Sequence, residues 1–554
     1  MRSEIKAEKE VLKEIFEKFW FLVPEYQRSY VWTHENILEL LEDLYSSYEN
    51  NEDGEYFLGS LVLKKTDEIR FEEYELLDGQ QRLTTFLLIL SVVRDLIEDP
   101  KYKATINEKI QQEENVLEGT PARERIKYKI RDNVEVFMKE YILKLEGTKL
   151  IREIEDETWN KNLSIHHMSN ALLTILEFLN KFTIDKLMRF TSFMLQKSLF
   201  ICVSTDNAED AFRLFTVLNN RGLSLSSSDI LKSMNIGILE TERNKISYAR
   251  KWEEIEQSHE DFDRFLYFIR NILAQDKPKE ELLKEFDRLF EKGIIEMGEK
   301  FLDLIIEYNE IYQKIIELED DRLDNEYRNL ITIMKKGLQS DEWISPILLY
   351  FKTYKYKDLN KFLRYLEYKF SSEWICGNSP SLRRDRMNNV LKVISESKTT
   401  DEIFKHKEIF SINEKELLKS LKQDVYLKNF KRYLLLKIEY LLHDNSVHIN
   451  NYEKISIEHI LPQNPSLGSE WERIFNIEDR ELWTNKLANL VLINRSKNSK
   501  LGNLEFKLKK EKYLSKSMDI FASSKIFSQV TEWNTETLKK REEELIDLLV
   551  KRPF

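Results

Sequence analysis

Apolar residues fall along this chain mostly at helical spacing, interrupted near both ends by short continuous apolar runs. Residues 4–20 read as an amphipathic helix, and Phe21-Leu22-Val23 as a short strand stopped by Pro24. From Ile37 to Tyr48 the spacing is helical again, with Leu38, Leu41 and Leu44 on one face. Tyr56 to Leu63, with Gly59 inside it, and Tyr74 to Leu77 read as strands. The second runs through Asp78-Gly79-Gln80-Gln81-Arg82 straight into a long apolar helix from Leu83. Residues 100–200 read mostly as polar helix with a turn at Gly119-Thr120-Pro121, followed by a strand from Leu199 to Val203. Ala208 to Leu218 reads as helix and Asn219 to Leu225 as loop, and Ser226 to Ser228 offers an N-cap to the next helix. Helical periodicity then dominates residues 236–415 and returns from Tyr426 to Leu442. Ile455 to Ile460 and Leu487 to Ile493 are strand-like, and lysines crowd the chain after Lys497.

Composition sharpens this picture. Only 13 glycines and 9 prolines punctuate 554 residues, so the expected class is α+β and predominantly helical. The change of character along the chain divides it into 1–235, a helical middle region of 236–415, and 416–554. A net charge of −12 excludes a wholesale nucleic-acid coat but leaves room for a local basic patch. Cys202 and Cys376 are too few and too distant for a disulfide framework or a cysteine zinc site. The first ten residues lack the apolar core of a signal peptide. The most apolar run, Leu83 to Ile97, carries Arg94 and Asp95 and falls short of the roughly 20 residues of a membrane span. A cytoplasmic protein without membrane contact is the expectation; oligomeric state is not legible.

Candidate chemistry sits at both ends. Near the C-terminus, Ile457-Glu458-His459-Ile460-Leu461-Pro462 is followed by Asn489-Leu490-Val491-Leu492-Ile493 and then by Asn498. Phosphodiester hydrolysis needs a base that titrates near neutrality, such as His459. It also needs a cation at the phosphate, and Mg²⁺ takes oxygen ligands of the kind Glu458 and Asn498 supply. Neighbouring strand residues point to opposite faces, so Glu458 and His459 share a site only where the strand ends or is irregular. Pro462 is consistent with such a break. The order and spacing resemble the HNH, or ββα-metal, nuclease fold. That resemblance implies His459 as general base, Glu458 and Asn498 as ligands of Mg²⁺ (or Mn²⁺), and Asn489 as a residue that orients the histidine or supports the loop. Glu458 departs from the aspartate usual in such sites. Lys497, Lys500, Lys507 and Lys510, with Lys509, Lys512 and Lys516 nearby, are candidate DNA phosphate contacts.

At the N-terminal end, Tyr26-Gln27-Arg28 lies in one motif and Asp78-Gly79-Gln80-Gln81-Arg82-Leu83-Thr84 in another, the latter joining a strand to a helix. Gly79 allows a tight turn, the first helical N–H groups favour an anion, and Arg28 and Arg82 can fork onto phosphate oxygens. Asp78 or Gln80 can position a water or a metal. Physics reads this as a phosphate site, with Tyr26, Gln27, Arg28, Asp78, Gly79, Gln80, Gln81, Arg82 and Thr84 as its candidate residues.

With a third patch, Phe215 to Leu225 followed by Asp229-Ile230-Leu231-Lys232, the chain resembles the fused form of the GmrSD-type, modification-dependent (type IV) restriction endonucleases. The resemblance implies a ParB/sulfiredoxin-like nucleotide-binding N-terminal domain and an HNH C-terminal domain. It also implies NTP hydrolysis by the N-terminal domain, with Asp78, Gln80 and Arg82 as its catalytic residues, and NTP-dependent or NTP-regulated cutting or nicking of modified or foreign DNA in defence against phage. A nucleotide- or DNA-sensing N-terminal module, with the HNH domain as the only enzyme, stays open beside it.

Overall fold

Six strands from distant parts of the first 205 residues assemble one mixed sheet. They are β1 (Lys6–Val11), β2 (Phe19–Val23), β3 (Tyr56–Lys65), β4 (Glu72–Asp78), β7 (Ile126–Tyr128) and β8 (Ser198–Thr205), in the order β1-β8-β3-β4-β2-β7. A separate two-residue ladder joins β5 (Gln111–Gln112) to β6 (Arg123–Glu124). This computed structural model describes residues 5–24, 27, 29–68, 71–117, 119, 121–129, 134–153, 162–206, 226–442, 455–494, 502–514 and 521–551. Among them, no helix is long and apolar enough to cross a membrane.

The sheet's central strands bury apolar residues at successive positions, Leu61 to Leu63 in β3, Leu76 and Leu77 in β4, and Leu199 and Phe200 in β8. β2 runs parallel to β4 and to β7, and β3 runs parallel to β8, so crossover helices must cover the sheet. The main cover is α3 (Gln80–Leu96), preceded in sequence by α1 (Leu12–Lys18) and α2 (His34–Asn50). α3 is buried almost all round, as its apolar sequence demands, and Arg94 inside it pairs with Asp95 and donates to Leu143 O at 3.0 Å.

Residues 4–20 do not form one helix. Lys6–Val11 is an edge strand paired with β8, and only Leu12–Lys18 is helical. The helical spacing there is real, but the unpaired edge of β8 offers backbone partners that local propensity cannot outweigh. Residues 100–200 likewise contain β7, which completes the sheet. The predicted N-cap is present: Ser226 Oγ accepts from Asp229 N at 3.1 Å in a capping box. Residues 208–218 and 219–225 lie outside the described residues.

The chain divides into two compact units, 1–263 with 295–303, and 264–294 with 304–554. The helical middle therefore does not stand apart; most of it belongs to the unit that carries the C-terminal strands. Close packing explains this. Gly337 sits so near Tyr433 that an added Cβ would lie 2.8 Å from Tyr433 Cα. In that unit β9 (Ile455–His459) pairs antiparallel with β10 (Leu490–Asn494), and His459 stands opposite Leu490. Ahead of the strands comes α4 (Lys431–Leu442), and after them α5 (Phe506–Leu514) and α6 (Thr535–Val550). Trp471, Phe475, Val491, Phe506 and Trp533 pack the core around them.

Gly59 is required by the fold. It has φ +106° at a slip in the β3–β8 register, and a Cβ there would lie 2.0 Å from Arg82 Nη1. Gly59→Ala is expected to destabilise the N-terminal unit by about 2–4 kcal/mol, from backbone strain and displaced hydrogen bonds. Denaturant unfolding followed by circular dichroism measures this; an unchanged midpoint would contradict the packing.

Candidate active site and nucleotide site

β9 ends at His459, and this ending decides what the Glu458–His459 pair can do. Alternation along the strand sends Glu458 inward to α5, where Lys509 Nζ lies 2.6 Å from its Oε1. Lys509 is fully buried and also donates to His459 O at 2.8 Å, so one ammonium fixes both the carboxylate and the end of the strand. Desolvation raises the Glu458 pKa and the Lys509 ammonium opposes that shift; burial lowers the Lys509 pKa. Lys509 is thus an internal counter-ion, not a surface phosphate contact.

His459 faces the other way. Tyr426 packs edge-on against its ring with centroids 4.2 Å apart, and Lys431, at the start of α4, lies 4.3 Å above the Tyr426 ring. Burial lowers the His459 pKa to about 4, helped by the positive charges of Lys509 and Lys431 and opposed by the neighbouring Asn485 amide. The imidazole is therefore neutral at ordinary pH. Its Nε2 is buried and makes no hydrogen bond of ordinary geometry; the Asn485 side chain beside the ring is the group placed to share one, and that interaction holds the imidazole pKa up against burial.

Asn489 is fully buried and uses all its amide capacity. Its Oδ1 accepts from Leu461 N at 2.7 Å and from Trp533 Nε1 at 3.2 Å. Its Nδ2 donates to Leu461 O and to Thr484 O, both at 2.9 Å. With two donors and two acceptor positions spent, nothing remains for substrate or for His459. Of the two roles the HNH resemblance offers it, the geometry leaves loop support. It holds Leu461, two residues beyond His459, while Arg541 of α6 clamps Ala488 O at 2.7 Å and Leu490 O at 3.1 Å.

Lys507 and Lys510 lie on the outward side of α5, with Glu470, Trp471, Glu511 and Glu532 around a cavity of about 790 Å³. Lys510 Nζ donates to Val530 O at 2.8 Å, and three carboxylates share the wall, so this face is mixed in charge. Asn498, Lys497 and Lys500 lie outside the described residues. Sequence reading missed Asn485, Tyr426 and Lys431. Only the fold brings them to His459, and no spacing marks them.

In the N-terminal unit the two motifs meet. Gln81 Oε1 accepts from Val31 N at 2.9 Å and its Nε2 donates to Ser29 O at 3.0 Å. Gln27 Nε2 donates to Leu77 O at 3.0 Å. These glutamines lace the first motif to the strand–turn–helix junction, where Gly79 has φ +93°. Arg82 does not present its fork to a phosphate: Nη1 donates to Leu58 O at 2.6 Å and Nη2 to Ser60 O at 2.9 Å, with Asp78 Oδ2 at 3.5 Å. The carbonyls of β3 at its register slip claim the guanidinium. Thr84 is fully buried and bonded to the Tyr128 hydroxyl, so it too belongs to the core. Gln80 differs: it is buried, yet neither Nε2 nor Oε1 has a partner. An orphaned buried amide costs roughly 1–3 kcal/mol per group, and Gln80 bears that cost in this arrangement. Tyr26 and Arg28 lie outside the described residues.

Residues 9–236 match the family model of the GmrSD restriction endonuclease N-terminal domain, and residues 411–548 match that of the GmrSD C-terminal domain. No curated protein matches the chain.

Proposed function

The chain belongs to the GmrSD restriction endonuclease family, and on that premise we propose that it hydrolyses DNA phosphodiesters at His459 under the influence of a nucleotide bound near Gln80. One observation carries the catalytic half: a neutral imidazole whose buried Nε2 makes no hydrogen bond of ordinary geometry, at the end of a strand clamped by Lys509 and Asn489. Such a nitrogen is held ready to take a proton from water. Modified or foreign DNA in phage defence is the substrate class this reading carries, and the ParB-like and HNH folds are the corresponding domain assignments.

Mg²⁺ or Mn²⁺ enters the reading as an activator of the reaction. Glu458 does not fit as its ligand in this arrangement, because the buried Lys509 ammonium already occupies the cation position on its carboxylate.

For the N-terminal site a second reading has its own support. Arg82 and Thr84 are spent on the fold, which favours a site that binds and senses a nucleoside triphosphate over one that hydrolyses it. Gln80→Leu is expected to weaken NTP binding about tenfold or more, as measured by equilibrium titration, through loss of a buried hydrogen-bonding pair.

The test incubates full-length protein with supercoiled plasmid or with modified phage DNA, with and without Mg²⁺, Mn²⁺ and NTPs. Phosphate release is followed in parallel. Nicking that depends on metal and is changed by NTP supports the whole reading. Nicking without any phosphate release selects the sensing site, and no cutting of any substrate overturns the nuclease assignment.

A further inference from the structure

In the C-terminal unit a groove of about 970 Å³ runs between the helices Leu359–Ile375 and Pro380–Glu396 and the segment that enters the helix Glu414–Leu421. We propose that this groove binds a phosphate-bearing small molecule, held by Lys369 and Arg386. None of its residues belongs to the sites around His459 and Gln80.

Both cations line the groove, and both lean on one carboxylate. Lys369 and Glu373 are buried, at 4% and 3% exposure. Glu373 Oε1 lies 2.9 Å from Lys369 Nζ and also takes Arg386 Nη1, while Asn378 Nδ2 donates to Glu373 Oε2. Two positive charges thus share one negative charge, and the cluster keeps one positive charge in excess. Burial, together with the charge of Arg386, lowers the Lys369 pKa to about 8, as expected of an ammonium short of counter-charge. Excess buried charge is costly unless an anion answers it. Donors are left for that anion. Lys369 spends one N–H on Glu373 and one on Ser411 O, out of three, and Arg386 commits only Nη1 of its fork among the described residues.

The rim agrees with the floor. Lys392 and Lys415 border the groove, and neither has a carboxylate within ion-pair distance among the described residues. The helix Glu414–Leu421 starts there under its Asn413 cap, and its first N–H groups add to the pull on an anion. Glu396, Glu408 and Glu414 border the groove too, but all three are exposed and screened by water, and Glu408 Oε1 already lies 2.8 Å from His406 Nδ1. Glu396 stands ten residues beyond Arg386 on the same helix, about 15 Å along its axis at 1.5 Å per residue. The groove therefore has a cationic end for phosphate and a distant carboxylate able to accept from N–H groups of a base. Its volume is that of a small-molecule site and exceeds the needs of phosphate alone, which favours a nucleotide. A duplex backbone would reach the rim lysines but not the buried floor.

The experiment titrates full-length wild type, Arg386→Gln, Lys369→Met and Gln80→Leu calorimetrically with inorganic phosphate, pyrophosphate, ATP and a short DNA duplex, without divalent metal. Melting temperatures are measured alongside. Wild type is expected to bind at least one of the three small probes, and Arg386→Gln to bind it about tenfold or more weakly. Unliganded Arg386→Gln should melt no earlier than wild type, because Glu373 then faces Lys369 alone as a balanced pair. Lys369→Met should weaken binding likewise; if it melts early, Arg386→Gln decides. Gln80→Leu should keep the binding that depends on Arg386. ATP bound more tightly than pyrophosphate identifies a nucleotide, and equal binding identifies the phosphate groups as the whole ligand. The proposal is overturned if wild type binds no small probe, or if Arg386→Gln binds as wild type does. Binding lost in Gln80→Leu would belong to the N-terminal site, and Arg386-dependent binding of the duplex alone would make this a DNA surface; either result overturns it as well.

Discussion

His459→Ala protein is expected to nick supercoiled plasmid about 10²- to 10⁴-fold more slowly than wild type, the range that loss of a general base commands. It should fold as well or better, because it removes a buried nitrogen that makes no hydrogen bond of ordinary geometry. Gel-resolved initial rates and a melting curve measured side by side check both halves. An active His459→Ala would place the chemistry elsewhere on the chain. The depressed pKa adds a pH signature. The ordinary imidazole value is 6.5 and burial lowers that of His459 to about 4, so the neutral, base-competent form persists between these values. Nicking should therefore remain level as pH falls through 6.5 and decline only towards 4. Stability runs the other way: between those values the unfolded chain takes up a proton that the folded chain refuses, so folding weakens as pH falls across that window. An acid limb centred at 6.5 would contradict a desolvated ring.

Lys509→Met is expected to destabilise the C-terminal unit by about 3–5 kcal/mol, because it strands the Glu458 carboxylate in the interior without its cation. The same change frees His459 O from its 2.8 Å hydrogen bond and loosens the end of β9, so nicking should fall along with stability. Combining Glu458→Gln with Lys509→Met should restore most of the stability, since no buried charge then remains. A double-mutant cycle by denaturant unfolding gives the coupling directly. If Glu458 were instead free for a divalent ion, Glu458→Gln alone would leave stability nearly unchanged. It would abolish any rise in wild-type melting temperature produced by Mn²⁺.

Much of the fold follows from local pattern. The apolar helix from Leu83, the strands around Leu61, Leu76 and Val203, and the Ser226 cap all rest on interactions within a few residues or on burial of a contiguous apolar run. The edge strand Lys6–Val11 was not legible, because its partner β8 lies nearly two hundred residues further on. The C-terminal pair of strands and His459 were legible for the same reason as Leu83: short apolar runs around a chemically loaded dipeptide.

What the residues do was decided by tertiary contacts. Arg82 and Thr84 have the chemistry of phosphate ligands, yet the bulged strand carbonyls and Tyr128 claim them, while Gln80 beside them has no partner. Lys509 sits in a run of lysines that reads as a basic surface, but the helical turn points it inward to Glu458. Asn489 carries the spacing of a catalytic asparagine and spends its whole amide on the backbone of Leu461 and Thr484 and on the Trp533 indole, whereas Asn485 carries no recognisable spacing and lies next to His459. The sequence by itself determined which side chains are available, the elements that carry them and the family they belong to. Whether a charge or an amide faces the core, a strand carbonyl or an empty position depends on partners brought from far along the chain, and only the tertiary structure decided that.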